Sequence, residues 1–253
     1  MGATELLLVR HGESLSNVAA DAAEAAGAEV IELAMRDPDV PLTPRGVRQA
    51  EALGDWLGRL GPAGAPHSIW CSPFVRALDT AQIAVASSGL PLRIAIDERL
   101  RDRELGILDL LTTAGVEARA PEEAARRRWL GKFYHRPPGG ESWADLALRV
   151  RALLVDLDRQ EHDRRVLVVC HDAVILVIRY ICEGLSEADV LAISESAAVR
   201  NASVTRLVRP DGEGRWSVDV FNLESHLGEH RTGGPATGPV PTTARRTWPA
   251  PRA

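Results

Sequence analysis

The chain has 253 residues, 45% of them hydrophobic, and a formal net charge of −5, which suits one large α/β domain or two small ones. That acidic balance argues against general affinity for nucleic acid or anionic membrane. No twenty-residue apolar segment and no basic-then-apolar leader pattern is present, so a soluble, cytoplasmic protein is expected.

The first predicted element is a buried strand over Glu5–Val9, carried by the apolar run Leu6-Leu7-Leu8-Val9. Arg10-His11-Gly12-Glu13 follows at once, which sets a guanidinium and an imidazole at a strand's carboxyl end, where open α/β sheets bind ligands. Val18–Asp39, rich in Ala, Glu and Asp, reads as helical. Thr43–Leu60 predicts a helix with Thr43 as N-cap and Pro44 in its first position. Its apolar face is Val47, Ala50, Leu53, Trp56, Leu57 and Leu60. A short strand, Ser68–Cys71, leads through Ser72-Pro73 to Arg76 on a helical stretch, and Leu92–Ile96 reads as another strand. Ser142–Gln160 repeats the amphipathic pattern with Leu146, Val150, Leu153, Leu154 and Leu157. The strand Val166–Cys170 ends in His171-Asp172 and is followed by the helix Val174–Glu183. His171 should therefore lie near a helix amino terminus, which favours a nearby phosphate. Strands at Ser203–Val208 and Trp216–Asn222 complete the pattern.

These signals alternate without a central linker, so a single domain over 1–227 is expected. From Gly228 the chain turns to Gly, Pro, Thr and Arg without periodicity, and 228–253 is expected to be a disordered tail. Cys71, Cys170 and Cys182 are odd in number and lack paired spacing, which argues against a disulfide scaffold or a metal site. His67, His135, His162, His226 and His230 stand in polar or loop contexts and read as solvated, with His135 a partial exception. A buried histidine beside a surface arginine would be the bland reading of Arg10-His11 alone. Three strand ends that each deliver a His or Arg are harder to ascribe to packing.

In these segments the chain resembles the histidine phosphatase superfamily, also called phosphoglycerate mutase-like. The likeness rests on Arg10-His11-Gly12 with Ser14 and Asn17, on Leu42-Thr43-Pro44-Arg45-Gly46 with Gln49-Ala50, and on Ser72-Pro73-Phe74-Val75-Arg76-Ala77 with Thr80-Ala81. Gly139-Gly140-Glu141-Ser142 and Cys170-His171 complete it in the family's order. The segment Phe133 to Ser142 is similar to the fructose-2,6-bisphosphatase branch. The resemblance implies a three-layer α/β/α sandwich with a mostly parallel central sheet. It also implies phosphoryl transfer through a phosphohistidine on His11, acting on a small phosphate ester without metal or organic cofactor.

On that resemblance Arg10, Arg76 and His171 would hold the phosphoryl oxygens, with Gly12 and Asn17 as further substrate-binding positions. His11 must offer a neutral lone pair, whereas His171 would serve best as imidazolium. The family's general acid is usually a Glu four residues before a Gly. Asp102 occupies that place here and is favoured over Asp172, with Glu104 third. Asp172 also reads as a helix-capping residue. Arg126, Arg127, Arg128, Lys132 and Arg136 form a basic cluster that either meets a substrate's distal anion or is a solvated helix face. Hydrolysis is the leading expectation, with mutase-type transfer next and a non-catalytic phosphate-binding module last, since Arg10, His11, Arg76 and His171 are all present. A P-loop and a His-Glu-x-x-His zinc motif are both absent from the sequence. The substrate's identity and the oligomeric state do not follow from the sequence.

Overall fold

The computed structural model describes residues 2–232. Among them six strands form one sheet: β1 (Glu5–Arg10), β2 (Ser68–Cys71), β3 (Ile94–Ile96), β4 (Arg165–Cys170), β5 (Val204–Val208) and β6 (Ser217–Leu223). Their order is β3-β2-β4-β1-β5-β6. The first four run parallel, and β5 and β6 are antiparallel additions at one edge. Helices α1 (Leu15–Ala25), α2 (Pro44–Arg59), α3 (Gly61–Gly64), α4 (Val75–Ser88), α5 (Thr113–Arg119), α6 (Pro121–Leu130), α7 (Trp143–Gln160), α8 (Asp172–Glu183) and α9 (Glu187–Ser196) connect them. No helix of the described residues is long and apolar enough to cross a membrane.

Alternation along the strands builds two cores. Leu6, Leu8, Val166, Val168 and Cys170 face α7 and α8, where Leu146, Val150, Leu153, Ile175 and Ile178 meet them. Leu7, Val9, Ile69, Leu167 and Val169 face the opposite way, against Leu53 and Leu57 of α2 and Ala77, Ala81 and Ala84 of α4. Because both faces are covered, the central strands are apolar throughout, as the sequence runs suggest. The result is the expected three-layer α/β/α sandwich with a mostly parallel sheet.

The parallel register positions the site. Arg10 pairs with Cys170, so His11 and His171 are the next residues on adjacent strands. Cys71 pairs with Val169, which brings Ser72 to the same rim. The loop after β1 is held against the start of α2. Thr43 caps α2 through the Gly46 amide at 3.1 Å and donates its hydroxyl to Glu13 at 2.7 Å, while Gln49 accepts the Glu13 amide at 2.8 Å. A Cβ on Gly46 would come within 2.0 Å of the Glu13 carbonyl oxygen, so only glycine allows this approach.

Three boundaries differ from expectation. The helix placed within Val18–Asp39 is α1, which starts earlier because Ser14 and Asn17 form a capping box, and which ends before Gly27 in the left-handed region. Residues 27–36 are mostly irregular and lead to a 3-10 turn at Asp37–Asp39. The third strand begins at Ile94, not Leu92, because the Leu92 amide is taken by the Leu90 carbonyl at 2.8 Å. At the other end, Gly228–His230 belong to a 3-10 segment, Ser225–His230, and the His230 carbonyl accepts from Gln49 at 2.8 Å. The structured part therefore extends past residue 227, and the remainder of the tail, 233–253, lies outside the described residues.

Candidate active site

His11 stands one residue past β1 and is 2% exposed. Its Nδ1 lies 2.7 Å from the Gly12 carbonyl oxygen, which can only accept, so Nδ1 carries the proton and Nε2 keeps its lone pair. That lone pair accepts from Arg76 Nε at 3.3 Å. Burial first, then the charges of His171, Arg76 and Arg10, push the His11 pKa well below its ordinary value. The imidazole is thus held neutral with Nε2 as its unprotonated nitrogen.

His171 is the N-cap residue of α8 and is fully buried. Its ring centroid is 5.2 Å from that of His11. Nε2 is 2.8 Å from Ser72 Oγ, and Nδ1 is 3.3 Å from Asp102 Oδ2. Burial, then Arg76, Arg10 and Arg149, push its pKa well down too. Both rings share one buried, cation-rich environment that lowers the pKa of each.

The cations come from two elements. Arg10, at the end of β1, donates Nη1 to the Val199 carbonyl at 2.6 Å, while its buried Nε has no partner among the described residues. Such a donor is costly to leave unmade, by about 1–3 kcal/mol, and suits an anion. Arg76, on the first turn of α4, touches His11 and also meets Asp102 Oδ2 at 3.2 Å.

Among the three candidate acids, Asp102 alone is within bonding distance of both Arg76 and His171. Arg149 of α7 holds its segment from behind, donating to the carbonyls of Arg99 at 2.6 Å, Arg101 at 2.9 Å and Asp102 at 3.0 Å. Glu141 in turn grips Arg149 with two bonds of 2.8 Å, which accounts for the Gly-Gly-Glu-Ser segment. Asp172 is spent on the Val199 amide at 3.4 Å, and Glu104 is half exposed beside Arg101.

Gly12 and Asn17 flank the site in different ways. The Gly12 amide donates to Thr80 Oγ1 at 3.0 Å and its carbonyl serves His11, so its main chain is occupied. Its part is steric, since a Cβ there would sit 2.6 Å from the Gly46 carbonyl oxygen. Asn17 Oδ1 accepts from Ser14 N, Ser14 Oγ and Asn201 Nδ2, all near 3.0 Å, which fixes the amide so that its NH₂ group is the one left to donate.

Sequence reasoning missed four residues as site members: Asp37, Ser72, Arg149 and Asn201, which also donates to the His11 carbonyl at 3.1 Å. Ser72 and Glu141 lay within the motifs, but Arg149 and Asn201 carried no local signal.

The basic cluster divides. Arg127 and Lys132 join Arg103 along a cleft of about 630 Å³ that Glu24, Glu117 and Glu195 also line, whereas Arg126 pairs with Glu123, Arg128 with Glu117 and Arg136 with Asp145. His135 is not solvated: it is buried against Glu123 at 3.0 Å. His226 is half-buried beside Trp56, and burial pushes its pKa down to about 4.

Depressed histidine pKa values have a stability consequence. Below about pH 6.5 the unfolded chain binds protons that folded His11, His171 and His226 refuse, so stability present above that pH is lost as pH falls, by up to about 1.4 kcal/mol per unit for each. Thermal unfolding is expected to shift downward from about pH 7 to about pH 5. His226→Gln, which retains a donor for the Ala202 carbonyl, should flatten that slope, and an unchanged slope would remove His226 from the account.

Residues 6–224 match the model for the histidine phosphatase superfamily (branch 1). The chain is 31% identical over 241 residues to glucosyl-3-phosphoglycerate phosphatase of Mycobacterium tuberculosis, covering 90% of this chain and 98% of that one. The solved structure of a mycobacterial glucosyl-3-phosphoglycerate phosphatase in complex with VO3 superposes with a TM-score of 0.69 at 31% identity, over 87% of this chain and 100% of that one. The 6-phosphofructo-2-kinase/fructose-2,6-bisphosphatase of Caenorhabditis elegans is 32% identical over 170 residues, which is 67% of this chain and 32% of that protein. A 2,3-bisphosphoglycerate-dependent phosphoglycerate mutase of Methylobacterium radiotolerans is 34% identical over 188 residues, 73% of this chain and 82% of that one.

Proposed function

The chain belongs to the histidine phosphatase superfamily, and from that premise we propose that it is a phosphomonoester hydrolase acting through a phosphohistidine on His11. One observation carries the reading: the Gly12 carbonyl fixes the His11 tautomer and leaves Nε2 as a neutral lone pair among Arg10, Arg76 and His171. In the first step Nε2 attacks phosphorus in line, a P–N bond forms as the ester P–O bond breaks, and Asp102 gives its proton to the leaving oxygen. In the second, water attacks the phosphohistidine while Asp102 takes the water's proton, releasing phosphate and restoring Nε2. Fixed donors around the equatorial oxygens, each worth roughly 2.7–4 kcal/mol, stabilise the transition state. An arriving dianion raises the pKa of His171, so the imidazolium suited to the transition state forms upon binding.

A cleft near Arg103 supports a substrate class. Arg103, which follows Asp102 in the chain, lines this cleft with Arg127 and Lys132, and these cations suit a small phosphate ester with a second anionic group, although Glu24, Glu117 and Glu195 line the cleft as well. The glucosyl-3-phosphoglycerate phosphatase relative is named for such a substrate. The mutase relative supports a second reading, in which a substrate hydroxyl intercepts the phosphohistidine in place of water.

Phosphate release from an aryl phosphate and from a set of phosphorylated carboxylic acids tests the reading across about pH 4–8. Turnover with all of them, fastest for the acids, is the expected result. A folded protein that releases no phosphate from any, yet moves phosphoryl groups between hydroxyls, would establish the mutase reading instead.

A further inference from the structure

Asp37 opens the 3-10 turn between α1 and α2 and reaches Arg76, which is itself 3% exposed. Arg76 Nη1 donates to the Asp37 carbonyl at 2.6 Å and lies 2.9 Å from Oδ1, while Nη2 lies 3.3 Å from Oδ2. Nη2 also meets Asp102, and Nε meets His11. Arg76 thus makes four hydrogen bonds, two of them to Asp37, together with a close charge contact to Asp37 Oδ1. The fork that would clasp two phosphoryl oxygens therefore already clasps a carboxylate. The loop has purchase on both sides of Asp37. Ile31 N donates to Leu110 O at 2.8 Å upstream, and downstream Val40 is fully buried and Leu15 N donates to Pro41 O at 3.1 Å.

We infer that Asp37 is a specificity-determining residue whose carboxylate holds Arg76 until a phosphoryl dianion displaces it. The inference rests on the phosphate chemistry proposed above. Its logic is one of exchange. A monoanionic carboxylate arriving at Arg76 replaces one carboxylate with another and gains nothing there. A phosphoryl dianion brings a second charge and more oxygens, which also reach Arg10 Nε and the histidines. Asp37 thus raises the threshold for all anions and excludes singly charged ones.

Several charges face Asp37: Arg76 from α4, Asp102 from the segment after β3, Glu104 two residues on, and Asp109 after the turn Gly106–Leu108. Burial raises the Asp37 pKa, Arg76 opposes that rise, and Asp102 and Asp109 add to it. Protonation removes the charge that competes for Arg76. The effect of Asp37→Asn should therefore be full at neutral pH and fade as pH falls through the titration of Asp37.

Calorimetric titration of the full chain with inorganic phosphate tests this, since binding needs no turnover. Asp37→Asn should tighten phosphate binding about tenfold near neutral pH, as expected from removing one nearby like charge. The ratio to wild type should fall toward one as pH is lowered through the titration of Asp37. Acetate, inert toward wild type, should begin to compete. With an aryl phosphate, KM should fall while kcat stays within about twofold. Asp37→Ser serves as a second variant should Asn disturb the turn, and Asp39→Asn, whose side chain pairs with Arg36 in the same loop, is the control. Unchanged or weaker phosphate binding in both Asp37 variants overturns the inference, as does a collapse of kcat at constant KM. Tighter phosphate binding without wild-type turnover would sink the hydrolase reading alone, and turnover with unaltered phosphate affinity would sink Asp37 alone.

Discussion

His11→Ala is expected to lower phosphate release at least about 10⁴-fold, to the level that binding and residual electrostatics sustain without a nucleophile. The loss is large because the substitution removes the atom that forms the covalent bond, and nothing nearby can replace it. His171 is 5.2 Å away by ring centroid, but its Nε2 is committed to Ser72 Oγ at 2.8 Å. Rapid acid-free quenching with labelled substrate should trap an alkali-stable phosphohistidine in wild type and none in the variant. His171→Ala should still be labelled, slowly, because it removes a donor to the phosphoryl oxygens and leaves the nucleophile. Equal labelling of wild type and His11→Ala would mean that the reacting imidazole has been misassigned.

The second large effect belongs to Asp102→Asn, with kcat toward alkyl phosphates expected to fall by about 10²–10⁴. An amide cannot deliver a proton to the departing alkoxide, although it preserves the contact with Arg76. An aryl phosphate leaves without needing that proton, so its first step should be nearly unaffected. Its second step still needs a base for the attacking water, and the phosphoenzyme should accumulate. This pairing of a leaving-group dependence with a trapped intermediate separates proton transfer from mere positioning. Asp172→Asn and Glu104→Gln should change kcat by less than about fivefold, since neither side chain bonds Arg76 or His171. A larger loss in Asp172→Asn than in Asp102→Asn would move the acid to the first turn of α8.

Much of the site was legible because apolar β-branched runs announce buried strands and the residues just past them must emerge at the rim. That logic located Arg10, His11 and His171 without knowledge of the partner strands. It gave Asp102 only by family likeness, since a carboxylate in Leu100-Arg101-Asp102-Arg103-Glu104 has no local mark that separates it from Glu104. Geometry supplies the separation: Asp102 turns toward Arg76 and His171, and Glu104 turns toward Arg101 and solvent. Gly12 shows the opposite case. Its place in the motif suggests a contact with substrate; its amide and carbonyl bond Thr80 and His11, and a Cβ on it would meet the Gly46 carbonyl.

By itself the amino-acid sequence determined the strands, the amphipathic helices and the histidines and arginines at the strand ends, because burial and helix capping are written in local periodicity and in neighbouring residues. Only the tertiary structure shows the burial of His171 among Arg76, Arg10 and Arg149, which of three carboxylates meets Arg76 and His171, and the grip of Asp37 on Arg76. Each of these depends on groups well separated in the chain, brought together by the parallel register of β1, β2 and β4. No local pattern encodes such a meeting, since desolvation and ion pairing are set by what surrounds a side chain once the sheet has closed.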